Sequence, residues 1–417
     1  MRESQPDSRR GRIAFIPLAL GVAVLTPCAF AAPGTGPDET DPVEFYLADE
    51  LSYDDNLFRV PEGLAASDPA AIGVPSTDDL LNRASAGVHG RWDLSRQVFG
   101  LDLRLDDVRF QDNSDLNYVG GNAGLQWKWQ TGKRWSGLIT GQYDRALANY
   151  SNYRFFAKDL VDVGAYGAEV RFHFGSRWSL LAAGTDTRTN HSADERADEE
   201  FHGRTARGGL EYRTPSDNLF AAEYRYTDGE FPNADPLVDG FGSRYFEHVP
   251  TVRVSYIFTP QTSLEARYGY LERTYQDPAA GDFAGGVWNA KFTWRPREKL
   301  WFEMKGWHEL RAYEDSESQY FVAQGWSFGP TWAPREKLQF TLLASMEDQD
   351  YVSAGTLAPS LQPFRKAQVQ FAQLGVDYSP RKAWSIRLAY RHLRYDSNLP
   401  LEDYDDNVVS AQVRFSM

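Results

Sequence analysis

The sequence predicts an all-β fold: a single transmembrane, antiparallel, up-and-down β-barrel of about 18 strands, within a range of 16–20. Three observations predict it. Segments of alternating apolar and polar residues follow one another, very short turns recur about every 40 residues, and aromatic residues make up 14% of the chain. No segment approaches the ~20 consecutive apolar residues of a transmembrane helix, so we expect strands to cross the membrane.

Alternation gives each predicted strand one apolar and one polar face. The rows Phe99, Leu101, Leu103, Leu105 and Val409, Ala411, Val413, Phe415, Met417 are examples. An apolar-faced strand at the chain terminus is a usual signal for outer-membrane insertion, so the barrel-assembly machinery is an expected partner during biogenesis. Phase slips near Asp106-Asp107 and His392-Leu393 predict β-bulges.

The polar faces carry opposite charges two residues apart, as in Glu169/Arg171 and Glu265/Arg267. In a transmembrane barrel such charges line a water-filled interior, and the apolar faces contact lipid. A soluble β-sandwich or propeller would bury the apolar faces instead, and composition alone leaves that alternative open. Aromatic residues near the segment ends favour the barrel, because Trp and Tyr concentrate at membrane interfaces.

Short and long connections alternate, which is typical of outer-membrane barrels with short periplasmic turns and long extracellular loops. The short turns lie at 94–96, 131–133, 175–177, 214–217, 259–261, 295–298, 333–336 and 379–381. The long connections are acidic, as in Asn190 to His202 and Asp228 to Glu247. Eight turns join sixteen strands, and one strand at each end raises the count to about 18.

The N-terminus predicts export. Arg9, Arg10 and Arg12 precede a short apolar run, and Ala29-Phe30-Ala31 offers a cleavage site. We therefore expect a signal peptide at 1–31, a short periplasmic segment at 32–42 and an outer-membrane barrel at 43–417. The only cysteine, Cys28, follows Pro27 rather than a small residue, which disfavours a lipoprotein.

Charge and motifs exclude several classes of function. A net charge of -14 and a pI near 5.1 argue against nucleic acid as a partner. No hydrolase, metalloprotease or phosphate-loop motif is present, so no catalytic residue, cofactor or metal site is predicted. A metal site between His191 and His202, or acidic loops that bridge to lipopolysaccharide through Ca²⁺, remains an alternative to simple solvated loops.

The interior is expected to be basic. Parity places ten candidate residues on the lumen wall: Arg104, Lys128, Arg171, Arg207, Arg225, Arg253, Arg267, Lys291, Arg387 and Arg414. Rings of Arg and Lys select anions in pores, so this wall suits an anionic or hydroxyl-rich chain such as a polysaccharide. The alternative is that Arg–carboxylate ladders only stiffen the wall.

The segment Phe45 to Arg59, which contains Tyr-Asp-Asp-Asn-Leu-Phe-Arg, resembles the start of a known family, with support from Asp115 to Tyr118 and Leu125 to Trp129. It is similar to EpsL-type outer-membrane β-barrel proteins of exosortase/PEP-CTERM-associated exopolysaccharide operons, in a broader β-barrel porin group. The resemblance implies a part in exopolysaccharide biosynthesis or export, with the polymer and periplasmic polysaccharide-export proteins as partners. It carries over no catalytic residues.

Three functions follow as hypotheses. The first is a non-enzymatic barrel that provides or supports passage of an exopolysaccharide; outer-membrane lipid and lipopolysaccharide surround it. The second is a general or solute-specific diffusion porin. The third is a barrel enzyme acting on lipid or glycan, which requires a His with Ser or Asp in hydrogen-bonding reach at one rim.

Overall fold

The computed structural model describes residues 42–61, 73–150, 156–235, 242–277, 281–315, 318–353, 365–400 and 402–417. The predicted signal peptide and all but the last residue of the segment at 32–42 lie outside the described residues. None of the helices in the described ranges combines the length and the apolar character needed to cross a membrane.

The described ranges form eighteen strands in one antiparallel sheet. In chain order they are β1 Val43–Asp54, β2 Asp79–Leu94, β3 Gln97–Phe110, β4 Tyr118–Thr131, β5 Trp135–Leu147, β6 Leu160–Phe174, β7 Trp178–His191, β8 Phe201–Arg213, β9 Leu219–Glu230, β10 Arg244–Thr259, β11 Thr262–Tyr275, β12 Phe283–Arg297, β13 Leu300–Asp315, β14 Ser318–Arg335, β15 Leu338–Ser353, β16 Lys366–Arg381, β17 Trp384–Ser397 and β18 Tyr404–Ser416. Two short 3-10 helices, Ser114–Leu116 and Asp194–Glu199, lie in loops.

The sheet closes on itself. Each strand pairs with its neighbours in sequence, and β1 pairs with β18 from Tyr46↔Ser416 to Asp54↔Val408. Closure leaves no sheet edge, so every strand meets a hydrogen-bonding partner on both sides, as a membrane requires. The predicted closed barrel and its strand count of about 18 are confirmed.

The outer face is apolar and exposed. Leu105 is 69% exposed, Leu125 60% and Tyr268 59%, whereas the positions between such residues are buried or half-buried. In water this surface would be strongly unfavourable, but lipid solvates it. Aromatic residues mark both borders, with Trp135, Trp178 and Trp384 near one end of their strands and Tyr53, Tyr143 and Tyr270 nearer the other.

The two ends of the barrel differ. At the end that carries both termini of the sheet, which we call the turn end, connections have two to five residues. At the opposite, loop end, eight of nine connections have six or more residues, and only β13 and β14 are joined by two. Gly132 and Gly175 adopt φ of +61° and +67° in the turns, a region that glycine enters without a steric penalty.

The predicted bulges at Asp106-Asp107 and His392-Leu393 are wrong. The pairing register of β3 and β17 runs through both sites without a shift. Shifts occur instead near turn-end prolines, at Trp294/Arg297, Trp332/Arg335 and Tyr378/Arg381. Proline has no N–H to give to a ladder, so it is tolerated where the ladder is interrupted.

At these two sites, the apolar side of the strand changes from the outer face to the inner face. Beyond Leu105, the interior residues Val108 and Phe110 are apolar and buried, while Arg109 points outward. The strands here have passed the lipid layer, so their outer face meets water and their inner face packs. Two loop-end clusters result: the first comprises Leu57, Phe58, Val60, Val74, Val108, Phe110, Leu116 and Tyr150, and the second Phe321, Ala323, Tyr351, Ala367, Leu393, Tyr395 and Tyr404.

Candidate functional site

The ten predicted basic residues lie on the strand faces opposite the exposed apolar residues, that is, on the wall of the barrel interior. Eight of them form ion pairs. Five pair with nearby carboxylates: Arg104 with Asp106 at 2.9 Å, Arg225 with Glu247 at 3.7 Å, Lys291 with Glu265 at 3.1 Å, Arg387 with Asp377 at 2.6 Å and Arg414 with Glu44 at 3.0 Å. The remaining three form one larger network.

This arginine–glutamate network comprises Glu169, Arg171, Arg207, Glu211, Glu223 and Arg253, on β6 and β8–β10. Arg253 binds both Glu211 at 2.8 Å and Glu223 at 2.7 Å. Glu211 also accepts from Arg171 at 2.9 Å. Each glutamate is therefore held by two arginines, and the guanidinium groups are fixed in direction rather than free to sample many rotamers.

Arginines also face arginines across the ladder. Arg207 pairs in register with Arg225, and Arg253 with Arg267. Like charges directly opposite each other repel. The glutamates of the network offset the charges of Arg207 and Arg253, and Glu247 offsets that of Arg225. Arg267 forms no ion pair or hydrogen bond with any described residue, and the same holds for Lys128.

Four described histidines lie within hydrogen-bonding reach of a Ser hydroxyl or an Asp carboxylate: His89 with Asp102, His202 with Asp186, and the two described next, His191 and His173. His191 Nδ1 lies 2.7 Å from Asp159 Oδ2, but the His191 side chain is 1% exposed, and its Nε2 is buried without a partner. His173, at the turn end, lies 2.7 Å from the hydroxyls of both Ser136 and Ser179. Within the described ranges, none of the four histidines contacts both a Ser hydroxyl and a carboxylate.

The metal alternative between His191 and His202 is wrong. His191 faces the interior and binds Asp159, whereas His202 faces outward and binds Asp186 at 2.8 Å. In the described part of the chain, one acidic group has suitable spacing for an ion: Asp54, Asp55 and Asp406. Arg59 bridges two of these carboxylates, at 3.1 Å from both Asp54 and Asp406, so a positive charge is already in place.

The segment Tyr53 to Arg59 contacts the last strand, β18, where the barrel closes. Asp55 accepts hydrogen bonds from the backbone and side-chain amides of Asn407 at 2.7 and 2.8 Å. The Asn56 side chain donates to the Asp405 carbonyl at 2.8 Å, and Phe58 enters the first loop-end cluster. Sequence analysis did not find this role, because the partners lie about 350 residues away.

A closed barrel with a lipid-facing apolar surface and a charged lumen defines an outer-membrane β-barrel. The family model described as "Putative beta-barrel porin 2" matches residues 251–417, from within β10 to the end of the chain. No curated protein matches the chain. The protein is located in the outer membrane.

Solved outer-membrane protein structures align with 90% of the chain. The outer membrane protein opdK of Pseudomonas aeruginosa is 12% identical, with 90% of this chain and 99% of that chain covered and a TM-score of 0.47. A BenF-like porin from Pseudomonas fluorescens Pf-5 is 10% identical, with 90% and 99% covered and a TM-score of 0.49. OccK9 (OpdG) of P. aeruginosa is 11% identical, with 90% and 98% covered and a TM-score of 0.49.

Proposed function

We propose that this protein is a diffusion porin that passes small anionic solutes across the outer membrane. The observation that carries the proposal is Arg267, a lumen guanidinium without an ion-pair partner among the described residues, directly across from Arg253 in the sheet. An unneutralised positive charge in a water-filled wall lowers the energy of an anion that passes it and raises that of a cation.

The surrounding network supports the same function. Glu211 and Glu223 fix Arg253 in place, so its charge is held beside Arg267 rather than displaced by repulsion. Guanidinium groups offer paired N–H donors that match carboxylate and phosphate oxygens. A small solute that carries such a group gains two oriented partners at this point of the wall.

Passage of an exopolysaccharide has less support from the geometry. The residues that carry the resemblance to exopolysaccharide barrels, Tyr53 to Arg59, make contacts with β18 and with the first loop-end cluster. A role in barrel closure therefore explains why these residues are present. The polymer hypothesis therefore rests on the resemblance, and the solute hypothesis on the lumen.

Reversal potentials in planar bilayers under a KCl gradient test the proposal. We expect the wild-type channel to prefer chloride, and Arg267→Gln to lower the chloride-to-potassium permeability ratio by at least about twofold. Arg109→Gln is the matched control, because Arg109 is an outward arginine paired with Asp107 at 2.7 Å. A cation-selective wild-type pore, or equal effects of the two variants, would contradict an anion path.

Gene deletion separates the two functions. With a diffusion porin, the deletion reduces uptake of small anions and leaves the ratio of surface to periplasmic polysaccharide unchanged. Retention of polysaccharide in the periplasm, with normal anion uptake, would favour polymer passage instead.

A further inference from the structure

The lipid-facing side of the barrel carries a trough on β2–β7. Its volume is about 1040 Å³, and small residues, including Gly141, Ala168 and Gly184, form its floor. Larger side chains, including Trp127, Ile139 and Tyr166, rise around them. The lining extends over six adjacent strands, roughly 24 Å across at the usual strand spacing. This width accommodates several acyl chains side by side.

A polar cradle lies at the β7 edge of the trough, towards the loop end. Arg188, His202 and Arg204 line a second cavity of about 380 Å³. Asp186 joins the two, because it lines the trough and binds the basic groups of the cradle. All four residues have outward parity on β7 and β8, on the same face as the exposed Leu180 and Leu210.

The cradle has more N–H donors than its carboxylates engage. Asp186 is shared by Arg188 at 3.1 Å, His202 at 2.8 Å and Arg204 at 3.8 Å, and Asp228, which lies opposite Arg204 in the ladder, is bound by Arg244 at 2.7 Å. The Arg188 and Arg204 side chains are 58% and 64% exposed, so their remaining N–H groups face outward. The other acidic group of the cavity, Glu200, accepts a hydrogen bond from Asn233 at 2.7 Å.

We infer that this surface binds a phosphorylated glycolipid of the outer leaflet, of the lipid A class. Its phosphate takes the free N–H donors of Arg188 and Arg204, and its acyl chains fill the trough below. In outer-membrane barrels the long loops face the cell exterior, so the cradle stands at the headgroup level of the outer leaflet. Guanidinium groups match phosphate geometry, and a multi-chain lipid fits the width of the trough.

Binding of defined lipids to the purified full-length barrel in nanodiscs tests the inference, with native mass spectrometry as the readout. The probes are bisphosphorylated lipid A, the same lipid without phosphates, phosphatidylglycerol and inorganic phosphate. We expect the wild-type barrel to bind bisphosphorylated lipid A at least about tenfold more tightly than the other three. The double variant Arg188→Ala/Arg204→Ala removes most of this preference.

Two further variants keep the test independent of folding. Arg109→Ala removes another exposed, outward arginine at the loop end and should leave lipid A binding unchanged. Gly184→Leu fills the trough: a Cβ at Gly184 meets only the Thr205 carbonyl oxygen, at 3.8 Å, so the barrel accepts the side chain. It should weaken lipid A binding while Arg188 and Arg204 remain.

The binding measurements distinguish this site from other lipid contacts. Loss of binding in the double variant and in Gly184→Leu, with normal binding by Arg109→Ala, supports the site. Equal binding of phosphatidylglycerol and lipid A would overturn the glycolipid inference, and so would equal binding of lipid A with and without phosphates. Unchanged binding by the double variant would place the lipid elsewhere.

Discussion

Arg59 and Asp406 form an ion pair at 3.1 Å that connects the loop after the first strand to the last strand. The same guanidinium nitrogen lies 3.1 Å from Asp54, and the Asp406 side chain is 1% exposed. Arg59 adopts a left-handed φ of +57°, which a side chain rarely favours. The ion pairs of Arg59 thus offset this backbone strain, because they neutralise two buried carboxylates where the barrel closes.

Replacing Arg59 should weaken this closure. Arg59→Gln leaves Arg391, at 3.0 Å from Asp406 and 4.0 Å from Asp54, as the remaining arginine beside these two buried carboxylates, which should cost about 1–3 kcal/mol. The folded barrel should unfold at a lower temperature in a gel assay that separates folded and unfolded forms. Arg394→Gln is the control, since its partner Asp396 and Arg394 itself are solvent-exposed. Equal unfolding temperatures for the two variants would show that the seam pair contributes nothing.

The first loop-end cluster should stabilise the barrel as a protein core does. Phe58 is 2% exposed there, so Phe58→Ala should cost about 3–5 kcal/mol, measured by urea unfolding in lipid vesicles. Phe45, on the lipid-facing side of β1, is 52% exposed. Phe45→Ala should cost distinctly less, because no packed cavity forms. A larger loss of stability for Phe45→Ala than for Phe58→Ala would argue against a packed loop-end cluster around Phe58.

Acid should loosen the start of the β7–β8 loop. Burial alone would raise the pKa of Asp159, but the hydrogen bond from His191 and the Arg196 guanidinium hold that pKa below its ordinary value of 3.8. A depressed carboxyl pKa stabilises the folded state above the ordinary value, and this stability is lost as pH falls through the folded-state pKa. Asp159 also accepts from the Ser192 and Ala193 amides at 2.9 and 3.1 Å.

Hydrogen exchange at these two amides measures the effect. Corrected for intrinsic rates, their protection should fall as pH drops below about 3.8. Asp159→Asn should give the low protection at neutral pH as well. Protection that stays constant over the acid range, or that survives the substitution, would rule out the carboxylate as the clamp.

Much of the fold follows from local sequence. Period-two alternation and the Pro- and Gly-containing turns predicted the strands and their number, because lipid and lumen impose opposite requirements on adjacent residues. The same rule failed above the lipid layer. From Val108 onward, the apolar side chains of β3 face the interior. The alternation in the sequence changes phase there, which predicts a bulge although the strand is continuous. Polarity depends on the surroundings of a residue and not on its backbone.

The sequence predicted which side chains face the lumen, but not which of them pair. Parity placed Arg171 on the interior wall, yet its contact with Glu211 at 2.9 Å joins residues 40 positions apart on non-adjacent strands. Side-chain reach and strand register decide such pairs. For the same reason, the sequence did not separate Arg267, which has no ion-pair partner in the described ranges, from Arg253, which has two.

Thiol accessibility at adjacent positions tests the central claim, that water fills the barrel and lipid covers it. In a Cys28→Ser background, which removes the only native cysteine, Arg267→Cys and Tyr268→Cys differ by one residue and by face. A membrane-impermeant, anionic thiosulfonate should react with Arg267→Cys in bilayers and shift the channel towards cations, and it should leave Tyr268→Cys untouched. Reaction at position 268 with none at 267, or equal reaction at both, would contradict the assignment of the two faces.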